Sequence, residues 1–195
     1  MFDYHVVLGI VASVVGVASF VPYFRDIFWG KTKPHPFTWL IWALITSIAF
    51  FAQLAAGGGP GAWVSGVLSL ECLAVALLAF RRGEREITSL DWWCLSLGLT
   101  GLFLWQLTNN PLTAVILVTI TDALAGLPTF RKSYSRPQEE TISSYALGAL
   151  RSLVSLPALT SFNLTTALYP VFIAFADGAL VLFLLIRRRQ LSSRA

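Results

Sequence analysis

Glu71, Asp122, Arg151 and Asp177 are ionisable residues set inside otherwise apolar stretches of this 195-residue chain. Each lies about nine to twelve residues from either end of its stretch. At a rise of about 1.5 Å per residue, helices built on these stretches would carry all four residues near a membrane midplane. A charged side chain there costs roughly 2.5 to 3.5 kcal/mol on insertion scales, so four of them are expected to share one polar cavity. The chemistry of such a set is the passage of a proton, a cation or a polar substrate. An unpaired guanidinium at that depth is costly, so Arg151 is expected to pair with Asp122 or Asp177. Three carboxyls against one guanidinium still leave two acids over, Glu71 among them. A leftover acid can take a proton on one side and release it on the other, or be neutralised by a cationic solute. The plainer reading is that the Arg151 pair merely locks the helices together.

Aromatic and proline residues frame this set. Trp39 and Trp42 stand one helical turn apart and share a face. Trp39 suits an interfacial anchor, and Trp42, a turn deeper, is placed to close one end of a cavity. Pro22 and Pro128 each fall near one end of an apolar stretch, where a proline removes an intrahelical hydrogen bond and either kinks the helix into a hinge or ends it.

Other chemistries find little in the sequence. His5 and His35 lie outside the apolar stretches, and no Ser-Asp-His or paired-His spacing occurs, so no enzyme is expected. Lys31, Lys33 and Lys132 are all in loops, which leaves no helical lysine for a Schiff base. Cys72 and Cys94 lack metal-binding or redox spacing and read as small buried hydrophobes, so neither metal nor cofactor is expected. Gly57-Gly58-Gly59-Pro60 is a turn and not a phosphate cradle, because no Lys-Ser/Thr follows it. Asn163-Leu164-Thr165 matches a glycosylation sequon but sits within a few residues of the membrane, and is taken as a chance match.

The elements that must position these residues are seven apolar runs, at about 5–24, 37–56, 61–80, 90–107, 112–130, 142–160 and 165–186. Each approaches the roughly 20 residues that a helix needs to cross a hydrocarbon core of about 30 Å. They lack the alternation of strands, and lipid admits only helices or closed barrels, so seven transmembrane helices are expected. With 56% hydrophobic and 12% charged residues, and a mean hydropathy of +0.70, the chain is too apolar for an ordinary soluble domain. Its net charge of +4 does not form a stripe suited to nucleic acid. Instead, of fourteen Lys and Arg residues, all but Arg151 follow the first, third, fifth and seventh runs. The positive-inside rule then puts the N-terminus outside and the C-terminus in the cytoplasm of a multi-pass protein, with the cell membrane as the expected location. The first run has no basic segment before it and aligns with an internal run, so it reads as a retained helix and not a cleaved signal.

The runs are not independent. Val21-Pro22-Tyr23-Phe24-Arg25 returns as Leu127-Pro128-Thr129-Phe130-Arg131, 106 positions later, and the register holds without a gap from Ile10/Ile116 to Arg82/Arg188. Within it fall Trp39/Tyr145, Trp63/Tyr169, Glu71/Asp177 and Arg81/Arg187. The expected architecture is therefore all-α: two parallel three-helix bundles, residues 1–83 and 112–195, joined by one inverting helix in the segment 84–111 (3+1+3). Trp92, Trp93 and Trp105 suit the interfaces at the ends of that connecting helix, which is given no chemical role.

This plan, with a helix-one proline and a basic loop in each repeat, resembles the SWEET, SemiSWEET and PQ-loop (MtN3/saliva) superfamily. Pro22-Tyr23 and Pro128-Thr129 stand where many members have Pro-Gln or Pro-Thr, and Lys31-Thr32 is similar to the Lys-Ser/Thr that follows. Pro137-Gln138 looks like the name-giving dipeptide but is out of repeat register. The resemblance implies a carrier with a solute pathway between two bundles, working by alternating access through bending at the helix-one prolines. In sugar-carrying members the site resembles a Trp and Asn arrangement. Trp42 can supply the aromatic part here, but Glu71 and Asp177 stand where Asn would be expected. That departure looks more like the proton-coupled cystine or cationic amino-acid carriers, and the plan is also similar to nicotinamide riboside transporters and retrieval-signal receptors. The expected partners are the lipid bilayer and a small polar solute: a sugar, an amino acid or a cationic metabolite. The competing expectation is a receptor or scaffold of the same fold that binds a ligand without moving it.

Overall fold

The computed structural model describes residues 3–34, 36–83 and 110–192, together with residues 89, 92, 93, 96, 97, 99, 100, 103 and 107. Side chains at 127, 128, 131, 132 and 139 lie outside that set. The described residues form helices and turns, with no strand. The long helices are α1 (Tyr4–Phe28), α2 (Pro36–Ala55), α3 (Trp63–Arg82), α4 (Pro111–Ser135), α5 (Ile142–Ser155) and α6 (Leu164–Ser192).

Local sequence explains the boundaries. Asp3 caps α1 by accepting the His5 backbone N–H at 2.9 Å. Gly30, at φ +69°, supplies the left-handed residue that ends α1, with the Lys31 N–H returning to the Asp26 carbonyl. Proline opens α2 and α4 at the position where no N–H is needed. Asn110 accepts from the backbone of Leu112 and Thr113 ahead of α4. Asn163, discounted as a sequon, accepts the Thr166 N–H at 3.2 Å and caps α6.

Among the described residues, four helices are long and apolar enough to cross a membrane: α1, α2, α3 with its short 3-10 lead-in from Gly59, and α6. The burial pattern is that of a membrane protein. Large apolar side chains such as Leu70 and Phe175 are 70% and 76% exposed, while Thr46, Gln53 and Thr166 are fully buried. Two runs differ from expectation. The stretch 142–160 gives only fourteen helical residues, about 21 Å of rise, because Pro157 cannot donate the next helical hydrogen bond. The chain continues as a turn in which Ala158 and Leu159 donate to the Ser155 and Leu156 carbonyls. In the opposite sense, α1 runs on for six residues beyond Pro22, so that proline is interior and does not end its helix. Position 128 is likewise inside α4, although the Pro128 side chain lies outside the described residues.

Of the connecting run 90–107, the described residues are helical, with Ser96 and Thr100 bonding back to the carbonyls of Trp92 and Ser96. Trp92 stacks at 5.3 Å on Phe37 of α2. Cys94, Trp105, His35, Arg85 and Arg194 lie outside the described residues.

The six helices close a ring. Following the contacts round, α1 packs on α3, α3 on α2, α2 on α4, α4 on α6, α6 on α5, and α5 on α1. Replacing each of α1, α2 and α3 by its partner 106 positions later turns this order into itself, so the repeat in sequence is also a repeat in packing. Phe20, Tyr23 and Trp39 join Leu68, Cys72 and Val75 in one core between α1, α2 and α3. Ile41, Ile45, Ile48 and Ala52 of α2 form a second core with Val115 and Val118 of α4 and Tyr169 of α6.

The two ends of the ring differ. At the basic end, Arg82 lies over the Phe28 ring and Arg187 over the Tyr134 ring, at 5.1 and 3.8 Å, so each third helix is tied to the end of its first helix in the same way. At the opposite end the backbones themselves meet. A Cβ on Gly9 would fall 2.7 Å from the Pro60 carbonyl oxygen, and one on Gly61 2.7 Å from the Leu159 nitrogen. There Thr160 donates through its side chain to the Gly57 carbonyl and through its backbone to that of Gly58.

Candidate functional site

A cavity of about 100 Å³ lies inside the ring, and all six helices contribute to its wall. By the volume a single water needs, it holds on the order of seven to ten water-sized groups. Of the residues expected at a site, Trp42, Asp122, Arg151 and Asp177 line it. Glu71 stands one layer behind, buried at 8% exposure.

The pairing differs from expectation. Arg151 takes neither Asp122 nor Asp177: its Nη1 donates to Oε2 of Glu71 at 3.2 Å. Where the second repeat has Asp122, the first has Gly16, and the Arg151 stem passes 3.5 Å from the point a Cβ on Gly16 would occupy. The guanidinium then lies over the Phe20 ring at 5.6 Å and reaches α3. At 4% exposure it is among the most buried charged groups described.

Asp122 is held separately. Its Oδ2 accepts the Tyr169 hydroxyl at 2.8 Å, and the Trp42 indole N–H lies near the same carboxyl but outside hydrogen-bond geometry. Asp177 makes no hydrogen bond or ion pair among the described residues. Its Oδ2 rests against Gly148 of α5, so closely that a Cβ there would collide with it. Glu71 and Asp177, equivalent in the repeat, thus have different surroundings: one is ion-paired, and the other faces the cavity.

Three further wall groups have unspent polarity. Trp42 Nε1, Ser144 Oγ and Arg151 Nε are buried without a hydrogen-bond partner. Around them stands an aromatic lining of Phe20, Tyr23, Trp39, Tyr145 and Tyr169, in which Trp39 packs edge-on against Trp42 with ring centres 4.9 Å apart. Among the described residues, no three His, Cys, Asp or Glu side chains converge as metal ligands.

Tyr145 also reaches toward a groove at the basic end. Its hydroxyl donates to Glu140 at 3.0 Å, and Glu140 lines that groove with Asp26, Lys31, Thr141 and Arg188. Across the groove the Thr141 hydroxyl donates to Asp26 Oδ2 at 3.1 Å, joining the first repeat to the second. The described side-chain hydrogen bond between the repeats is therefore at side-chain level here, in contrast to the backbone contacts of the opposite end.

Tyr145, Tyr169, Gly148 and Ser144 were not singled out by the sequence reading. The repeat register held a usable signal, because Trp39/Tyr145 is an aromatic pair in register and both members line the cavity. Nothing in the sequence marked Gly148, whose importance lies in what it leaves room for. Compared with known proteins, the chain matches no family model, no curated protein and no solved structure.

Proposed function

We propose that the protein is a multi-pass membrane transporter that moves a small polar solute by alternating access, with proton coupling through its intramembrane acids. In this reading residues 90–107 form a seventh transmembrane helix that joins the two repeats as 3+1+3. The N-terminus is outside and the C-terminus is in the cytoplasm of a cell-membrane protein. The resemblance to the SWEET and PQ-loop superfamily stands as part of the same proposal.

The observation that carries it is a largely aromatic cavity holding Asp122, Arg151 and Asp177, in the middle of a ring whose two halves are related by the sequence repeat. A pathway between matched halves can open at either end by rocking one half against the other. The ends differ as an inward-facing state requires: the lysine- and arginine-free end is closed by backbone contacts, while the basic end has a polar groove. Pro22, interior to α1, removes one helical hydrogen bond in an element that borders both the cavity and the groove.

Counterflow in proteoliposomes tests this reading. Vesicles loaded with a candidate solute should accumulate the labelled form transiently, and an inward proton gradient should speed uptake. Ligand binding without counterflow would instead favour a receptor or scaffold of the same fold.

A further inference from the structure

The cavity's charge and lining narrow the solute, given the transporter reading above. The Arg151 guanidinium is ion-paired with Glu71 from behind the wall, so three carboxyl groups share one fixed positive charge at the cavity. Asp122 has a neutral hydroxyl as its hydrogen-bond partner, and Asp177 makes no hydrogen bond or ion pair among the described residues. The cavity thus presents two carboxyl groups inside a lining of aromatic rings. Rings of this kind attract a cation through their negative faces, most strongly where water is excluded. They do not suit a small hard metal ion, which needs several oxygen ligands in one place, and no such convergence exists among the described residues. The unpartnered donors Trp42 Nε1 and Ser144 Oγ add a second requirement, an acceptor oxygen on the ligand.

We infer that the cavity binds a small organic cation, one ammonium centre on a compact body that also carries an oxygen acceptor. Asp177 takes the charge, and Gly148 is the residue that lets it do so. An alanine Cβ at 148 would meet only the end of the Asp177 side chain, which can rotate away, and not the backbone. The substitution should therefore displace the carboxylate without breaking the helix packing.

Binding is tested on the full-length protein in detergent, by calorimetry and thermal shift. Two probes of nearly the same shape are choline and its uncharged carbon isostere, 3,3-dimethylbutan-1-ol. Choline should bind and stabilise, and the isostere should bind roughly tenfold or more weakly, as the loss of a charged hydrogen-bonding and ring contact requires. Asp177→Asn and Gly148→Ala should each weaken choline by a similar factor while melting near the wild-type temperature without ligand. If Asp177→Asn does not fold, Gly148→Ala decides alone. The inference is overturned if the isostere matches choline, if neither binds, or if Gly148→Ala binds choline like wild type. Choline that binds without counterflow would defeat the transporter reading and leave this one standing; counterflow of a neutral solute with no choline binding would do the reverse.

Discussion

Replacing Arg151 by methionine keeps the apolar stem and removes the charge, which isolates what the guanidinium does. Glu71 is 8% exposed, and its Oε1 is already without a partner, so loss of Arg151 leaves both oxygens unmet in a buried site. Breaking a buried pair in this way costs about 3–5 kcal/mol. The contact with the Phe20 ring adds on the order of 1 kcal/mol. Glu71→Gln should be milder, at about 1–2 kcal/mol, because the guanidinium keeps Phe20 and lies in the same cavity wall as Asp177, a second acid it can turn to. The double variant has neither charge and should regain at least about 2 kcal/mol of the loss predicted by adding the two. In thermal unfolding, Arg151→Met should lower the midpoint by on the order of 10 °C, with the double variant recovering much of it. Neutral hydrogen bonds between membrane helices couple by only about 0.6 kcal/mol. A coupling no larger than that, or a better rescue of Arg151→Met by Asp177→Asn or Asp122→Asn than by Glu71→Gln, would refute the pairing.

Tyr169→Phe removes the Tyr169 hydrogen bond to Asp122, a carboxyl only 9% exposed, and should cost about 1–3 kcal/mol in the same unfolding assay; an unchanged midpoint would mean that the hydroxyl does not support Asp122. Alanine at both Pro22 and Pro128 should leave expression and ligand binding intact and slow solute exchange, and exchange at the wild-type rate would remove the hinge. If the proposed seventh spanning helix lies between them, reporter fusions after Arg85 and after Asn110 should give opposite signals; equal signals would reject it.

How much could be read in the sequence varied with the physical scale of the feature. Helices were legible because each apolar run is long, and the ring was legible through the 106-residue register, which fixes which helices must be equivalent before any contact is known. The end of α5 was not, because an apolar run does not reveal that Pro157 and the turn after it leave the helix for a loop bonded to Gly57 and Gly58. At the site, Asp122, Arg151 and Asp177 share an expected depth and line one cavity, but depth cannot choose a partner. The choice of Glu71 turns on packing that leaves no pattern in the sequence: the Arg151 stem passes Gly16 at ordinary contact distance as it reaches between repeats. Gly148 was illegible for the same reason.

These two glycines explain why a repeated chain has one site that is not symmetric. Asp122 of the second repeat corresponds to Gly16 of the first, and Trp42 of the first to Gly148 of the second. At each pair one half fills the space that the other leaves open. Gly16 admits Arg151, which joins Glu71; Gly148 admits Asp177, which then stays free in the cavity. Arg151 adds to the asymmetry, because its counterpart 106 positions earlier in the first repeat is Ile45. On the proposed reading, the departures from the repeat separate a structural acid from a binding one, while the repeat itself keeps the two halves equivalent in packing order.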